Sequence, residues 1–160
     1  MKSDLALVAM AKRVIDGNRY MVIATAGDAG EPWVTPVYFN PDGYKVLYWI
    51  SSPEALHSRN LALRPDASIV VFDSQVPIGG AEAVYMRAYA EEISEPSQEE
   101  CAHAFRPRFE GVEALAPADL RPPALFRLFR ATVSEHWVLI RGSDPDRGSG
   151  VDARMSVDLG

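Results

Sequence analysis

The chain has one cysteine, Cys101, and three histidines, His57, His103 and His136. A single thiol closes no internal disulfide and does not by itself hold a structural zinc, and no two histidines sit at metal-ligand spacing along one element. No metal is expected, and a reducing cytoplasm is the expected compartment. Long apolar runs are also missing. Nothing approaches the ~18 uninterrupted apolar residues of a membrane span, and Lys2, Asp4, Lys12, Arg13 and Asp16 break up residues 1–17, unlike a signal peptide. Basic charge is scarce: 16 Lys and Arg stand against 22 Asp and Glu, for a net charge of −6. That balance disfavours a protein that covers nucleic-acid phosphates, so any phosphate bound is expected to be small. No Walker motif, Gly-x-Ser-x-Gly elbow or Gly-x-Gly-x-x-Gly follows a strand, which removes the main support for hydrolase and Rossmann readings.

What is present suits one globular domain over residues 1–160, with 48% hydrophobic residues in a chain of 160. Ser3 and Asp4 offer N-cap chemistry to a helix whose Leu7, Met10, Ala11 and Val14 share one face, with Gly17 as its stop. Tyr20–Thr25, Trp33–Phe39 and Tyr44–Ile50 read as three consecutive antiparallel strands, with Gly27–Gly30 and Asn40–Gly43 as the turns. A helix is predicted from Ser51–Glu54 to about Arg64, where Pro65 ends it. Its start has two registers: Ser52 before Pro53 at the first helical position, or Ser51 in a capping box with Glu54. Further strands are predicted at Ser68–Asp73, Glu82–Ile93, Leu125–Val133 and Glu135–Arg141. A helix opens at the Ser97 to Glu100 capping box, and a last extended piece covers Arg154–Leu159. Residues 143–160 are expected to form a partly flexible C-terminal extension. Six or seven strands with two or three helices suggest a closed or half-closed antiparallel barrel decorated by helices.

Few residues stand out chemically. Two serines, a helix start, His57 and Arg59 supply hydroxyl donors, free backbone N–H groups, a helix dipole and a fixed positive charge, the set a terminal phosphate needs; the plain alternative is a capped helix start. Arg106-Pro107-Arg108 reads as a solvated loop and Cys101 as core. Trp33, Trp49 and Trp137 suit the core or an interface, where one of them can stack on a planar ring. The carboxylates of Glu91 and Glu92 point to opposite faces of a strand, so a paired-carboxylate mechanism has no support. The loop Ser74–Ala81 is longer than a hairpin needs and is expected either near a cofactor or a partner subunit or, equally, as a simple exposed connection.

The ordered set Met21-Val22-Ile23-Ala24-Thr25, Gly30-x-Pro32-x-x-Thr35-Pro36-Val37, Leu47-Tyr48-Trp49, His57-Ser58-Arg59-Asn60-Leu61, Arg64-Pro65-x-Ala67-Ser68 and Ala83-Val84-Tyr85-Met86-Arg87-Ala88-x-Ala90-Glu91 resembles the pyridoxamine 5'-phosphate oxidase-like family. The likeness runs over most of residues 5–141. It implies a mainly β fold with flanking helices, an antiparallel split β-barrel of the FMN-binding type. It also implies a homodimer with FMN, or the deazaflavin F420, in clefts between subunits. By position, Ser51, Ser52, His57 and Arg59 would contact the phosphate and Val34, Thr35, Pro36 and Val37 would lie along the isoalloxazine ring. Ile50 and Trp137 complete the expected cofactor-binding set.

Two departures narrow the activity. His57 stands where lysine is common in the family. Thr35 stands where pyridoxamine phosphate oxidases use arginine, and their C-terminal Arg-Leu-His-Asp-Arg type of segment has no equivalent in residues 141–154. Vitamin B6 oxidation is therefore not expected. What the resemblance implies is an FMN-dependent oxidoreductase acting on a small-molecule substrate or nicotinamide donor, with no side chain assigned a catalytic role. An F420-dependent reductase, and a non-catalytic barrel that binds flavin for storage or sensing or serves as an interaction module, are the alternatives.

Overall fold

The structure, a computed structural model, describes residues 4–160. Asp4 accepts hydrogen bonds from the backbone N–H groups of Ala6 (3.0 Å) and Leu7 (3.4 Å) and so caps α1 (Leu5–Gly17). Ser3, the other candidate cap, lies outside the described residues. The helix buries Leu7, Ala11 and Val14 of the predicted stripe and also Ile15, which lies outside it, while Met10 is only partly buried.

β1 (Tyr20–Ala26) and β2 (Pro32–Tyr38) pair without a register break from Tyr20 opposite Tyr38 to Ala26 opposite Pro32. Gly30 turns the chain with φ of +88°, a conformation that side-chain-bearing residues rarely adopt. The next connection departs from expectation. Asn40–Asp42 is a strand, β3, paired with β4 (Val46–Ser51), and the turn falls at 43–45. The cause is tertiary: the fully buried Asn40 donates to the carbonyls of Ala104 (2.9 Å) and Arg106 (2.7 Å), bonds that no local turn supplies. β2 and β4, expected as sequential partners, are therefore not paired; β4 lies between β3 and β7.

β5 (Asp66–Phe72), β6 (Ala83–Ile93), β7 (Arg127–Ile140) and β8 (Ala153–Val157) complete an antiparallel sheet in the order β2-β1-β5-β6-β7-β4-β3, with β8 on β7. The two strands predicted across 125–141 are one strand of 14 residues. A bulge holds it together: Arg87 pairs Glu135 and Ala88 pairs Val133, which leaves Ser134 unpaired with its hydroxyl on the Arg87 carbonyl at 3.3 Å.

The inner face of the sheet packs Met21, Ile23, Phe39, Leu47, Val71 and Met86 against α1, each of these sheet residues almost wholly buried. Burying such a side chain is worth roughly 1.5–3 kcal/mol, so this core carries most of the fold's stability. A second, smaller cluster covers the outer face where β4 meets β7. Tyr48 and Leu128 pack there under Cys101 and Ala104 of α3 (Gln98–Ala104) and under Leu120 of a short 3-10 turn. The capping box predicted for α3 is present, with Ser97 and Glu100 each holding the other's backbone N–H. Residues 143–160 are tied to the sheet through β8 and an ion pair between Arg147 and Asp4, and Val157 and Leu159 are buried. No described helix is long and apolar enough to cross a membrane.

The sheet does not close. β2 at one end and β3 at the other share no ladder, so the architecture is the expected antiparallel split β-barrel with flanking helices.

Candidate functional site

β2 has a strand neighbour only on its β1 side, and β3 leaves β4 after Tyr48, so residues 49–51 of β4 have a neighbour only on the β7 side. At this seam lies a cleft of 790 Å³, within the size range of small-molecule sites. Pro36 and Val37 line one side, Trp49, Ile50 and Ser51 another, and Phe105 and Phe109 contribute from the segment after α3.

One end of the cleft is built by the passage from β4 into α2 (Leu56–Leu63). The serines do not cap this helix. Ser52–Ala55 forms a turn, with the Ala55 N–H on the Ser52 carbonyl at 3.1 Å and the Glu54 N–H on Ser52 Oγ at 3.2 Å. Pro53 occupies the second position, where its fixed φ suits a β-turn better than it suits the sequence's helix register. The N-cap is Ala55, which has no side-chain acceptor, and the first intrahelical bond comes from the Arg59 N–H. The N–H groups of Leu56, His57 and Ser58 are thus left at the positive end of the helix with no side-chain cap.

His57 is buried and lies 2.8 Å from Ser51 Oγ through Nε2. Burial holds its imidazole below the usual histidine range, so it is neutral at neutral pH. Ser58 Oγ donates to the Ser52 carbonyl at 2.7 Å and fixes the turn on the helix. Asn60 donates to Thr25 Oγ1 at 3.0 Å and pins the helix to β1.

Of the residues expected at a cofactor, Pro36, Val37, Ile50, Ser51, Ser52 and His57 are brought together at the cleft. The others lie elsewhere in the protomer. Val34 is exposed on the outer face, Thr35 sits opposite the buried Ile23 on the inner face, and Trp137 is on the outer face of β7 under the Arg87 guanidinium. Arg59 is two residues, about 200°, around the helix from His57 and is exposed. The loop 74–81 does not line the cleft, and its Ile78 is fully exposed.

Sequence reasoning missed three contributors. Tyr38 and Trp49 contribute to the cleft wall, while the Tyr38 hydroxyl and the Trp49 indole N–H are turned away from solvent, buried and without a hydrogen-bond partner. Phe109 arrives through Arg108, which is not part of a solvated loop. Its guanidinium donates to the carbonyls of Phe39 (2.8 Å), Ile15 (2.8 Å), Asp16 (3.1 Å) and Asn18 (3.3 Å), and it lies over the rings of Phe39 and Phe109. Nothing local in Arg-Pro-Arg signals those partners, which are distant in the chain. Sequence reasoning assigns Trp49 only a general role in the core or at an interface, which does not single it out from Trp33 and Trp137.

The open helix end, two serine hydroxyls and a neutral imidazole form a donor set that fits a phosphate, and the aromatic and aliphatic walls fit a planar ring. Among the described residues no group of three or more His, Cys, Asp or Glu is placed to hold a metal ion.

Comparison with solved structures finds the same fold in several proteins. A FAD-binding protein from Mesorhizobium loti is 22% identical with a TM-score of 0.59, over 81% of this chain and 91% of the other. An F420 reductase is 19% identical with a TM-score of 0.58, over 79% and 94%. A heme storage protein from Vibrio cholerae is 19% identical with a TM-score of 0.60, over 84% and 92%. Comparison with curated proteins finds no match. The family model described as pyridoxamine 5'-phosphate oxidase matches residues 7–139. With that match over most of its length and an open antiparallel barrel as its fold, this chain belongs to the pyridoxamine 5'-phosphate oxidase family.

Proposed function

We propose that the chain binds FMN in the cleft and works as a flavin-dependent oxidoreductase, a cytoplasmic homodimer acting on a small molecule or nicotinamide donor. The observation that carries this reading is the uncapped start of α2, where free N–H groups, Ser51 and His57 meet at one end of an aromatic-walled cleft. A bound flavin supplies the hydride and electron chemistry, and the protein supplies position and electrostatics.

The N–H groups of residues 56–58 and the Ser51 and Ser52 hydroxyls hold the phosphate. His57 fixes the Ser51 hydroxyl and, being neutral, adds no charge of its own. Pro36, Val37 and Ile50 flank the ring and keep water from it, and Phe105 and Phe109 narrow access. No side-chain acid or base is needed for hydride transfer itself. Thr35, in place of an arginine, argues against a phosphorylated vitamin as substrate.

The homodimer rests on the outer face of the sheet. Pro36, Val22, Val70, Tyr85 and Trp137 lie in one register row across five strands, beside the exposed Val34. A second copy seated there would cover this row and bring Val34 and Trp137, two of the four expected cofactor residues outside the cleft, into an interface. F420 is the second reading for the cofactor, favoured by the F420 reductase of the same fold.

Absorbance of protein purified without added cofactor, followed by mass spectrometry of what denaturation releases, tests the reading. A flavin spectrum with the mass of FMN is the expected result. Release of F420 replaces the cofactor, and a colourless protein that neither cofactor stabilises overturns the proposal.

A further inference from the structure

The segment between α3 and β7 forms one wall of the cleft, and its bonding changes abruptly along the chain. Up to residue 108 it is tied down. The Phe105 N–H donates to the Cys101 carbonyl at 2.9 Å, Asn40 holds the carbonyls of Ala104 and Arg106, and Arg106 reaches the Pro41 carbonyl at 2.8 Å. Arg108 then holds the carbonyls of Phe39, Ile15, Asp16 and Asn18. From residue 116 the chain is tied down again: the Ala116 N–H donates to the Asp119 carboxylate and the Asp119 N–H to the Ala116 carbonyl, both at 2.9 Å. Between these anchors, residues 109–115 make no hydrogen bond and no ion pair with any described residue. A folded chain averages about one internal hydrogen bond per residue, so this stretch is held in another way.

Side-chain contact is what holds it. Phe109, Val112 and Leu115 are half-buried and line the cleft, while Glu110, Gly111, Glu113 and Ala114 are exposed. Leu115 packs on the small cluster under α3, and Gly111 turns the chain with φ of +86°. The tie to the β1 side is a cation–π contact: Arg19, just before β1, sets its guanidinium 4.6 Å from the centre of the Phe109 ring. The other walls are built differently. β2 and β4 are locked into ladders, and displacing them breaks hydrogen bonds. Swinging residues 109–115 outward between their anchors breaks none, which places this motion among the least costly in the fold.

We propose that residues 109–115 form a lid that opens on the fixed points at Arg108 and Ala116 to pass a planar ligand, closes on it through Phe109, Val112 and Leu115, and is latched shut by Arg19. The lid stands on the bonding of the chain; only the identity of its occupant rests on the flavin reading above. With a ring in the cleft, the ligand leaves no faster than the lid opens.

A thiol behind the lid reads its opening without any ligand. Ala104 is 6% exposed and lines the cleft beside the lid. In Ala104→Cys combined with Cys101→Ala, the one thiol reacts with dithiodipyridine when the lid is open. Its rate is expected to stay nearly level in dilute urea, because a local opening exposes little surface. Adding Arg19→Ala is expected to raise the rate roughly three- to fivefold, the worth of an exposed cation–π contact, and Arg19→Lys to keep it near the original value. Riboflavin release, followed by stopped-flow fluorescence, is expected to quicken by the same factor in Arg19→Ala. A thiol rate that climbs with urea in step with global unfolding, or that Arg19→Ala leaves unchanged, overturns the lid whatever the flavin result. Release that stays at the wild-type rate while the thiol results hold overturns the gating role. A protein that passes the thiol measurements but binds neither riboflavin nor FMN overturns the flavin reading and supports the lid. Should Ala104→Cys fail to fold, the native Cys101, buried in the cluster on which Leu115 packs, is the reporter.

Discussion

Arg108 and the cleft wall both gather polar groups beside aromatic residues, with opposite outcomes. Around Arg108, one guanidinium serves the carbonyls of Phe39, Ile15, Asp16 and Asn18 and is enclosed by two phenyl rings, joining the end of α1 and the start of β3 to the segment after α3. Along the cleft, the start of α2 has no side-chain cap and Tyr38 and Trp49 have no partners. The first region is self-sufficient and serves architecture. The second leaves the first N–H groups of α2 without a side-chain cap at one end of the cleft. Substitutions should therefore separate the two regions by what they damage.

The largest effect is expected at the anchor. Arg108→Ala leaves several carbonyls with weaker partners and two rings without their cation, and should lower unfolding stability by about 3 kcal/mol in urea denaturation. A loss below about 1 kcal/mol, the scale of an ordinary surface change, would erase the contrast with the cleft.

Next is Val70→Asp, in the middle of the outer-face row, which places a charge at the centre of the proposed interface. Light scattering at micromolar concentration should move from about twice the mass of the 17.6 kDa chain to the mass of one chain. An unchanged dimer would show that the second copy sits elsewhere.

At the cleft, Ser51→Ala should weaken FMN binding roughly tenfold and lower stability by only about 1–2 kcal/mol, the cost of leaving the buried His57 without its partner, measured by fluorescence titration and urea unfolding of the same sample. Arg59→Ala should change affinity by about twofold or less, since its exposed side chain points away from the cleft. The reverse order would mean that charge, rather than hydroxyls and the helix end, holds the phosphate.

The smallest effect concerns pH. His57 and His136 are both buried, and burial lowers both pKa values, against the hydrogen bond of His136 with the Tyr44 carbonyl. Because the folded values lie below the ordinary value of about 6.5, the folded state resists protonation: their contribution is complete above pH ~6.5 and is lost as pH falls through the lowered values. Urea midpoints should be level from pH 8 to about 7 and decline below about 6.5, with His57→Gln flattening part of the decline. A midpoint that rises on acidification would contradict the neutral, buried imidazoles.

Elements set by short-range chemistry were legible in the sequence. The β1–β2 hairpin follows from Gly30 between two runs of strand-forming residues, and α3 from Ser97 and Glu100. Errors fell where a distant contact, or a competing local turn, overrides the expected local structure. Asn40-Pro41-Asp42 has turn composition but forms a strand because Asn40 reaches Ala104 and Arg106. Ser52-Pro53-Glu54 has cap composition but forms a turn that delays the helix by several residues. At the cleft, Ser51 and His57 were readable because they are close in sequence to the helix start. Tyr38 and Phe109 were not, since one looks like any strand aromatic and the other is placed by an arginine whose partners lie about 70 to 90 residues away.

The seam between β2 and β4 has a mechanical consequence. In a closed barrel the radius is fixed by strand number and shear, so any change of bore must break ladder bonds. A barrel with a slit behaves like a spring clip: small changes of twist spread along β1 and β7 move the two lips apart or together while each ladder stays whole. The bore is thereby decoupled from the core, and substitutions at Pro36 or Ile50 on the lips can resize it without disturbing the packing of Met21, Ile23 and Phe39 behind them.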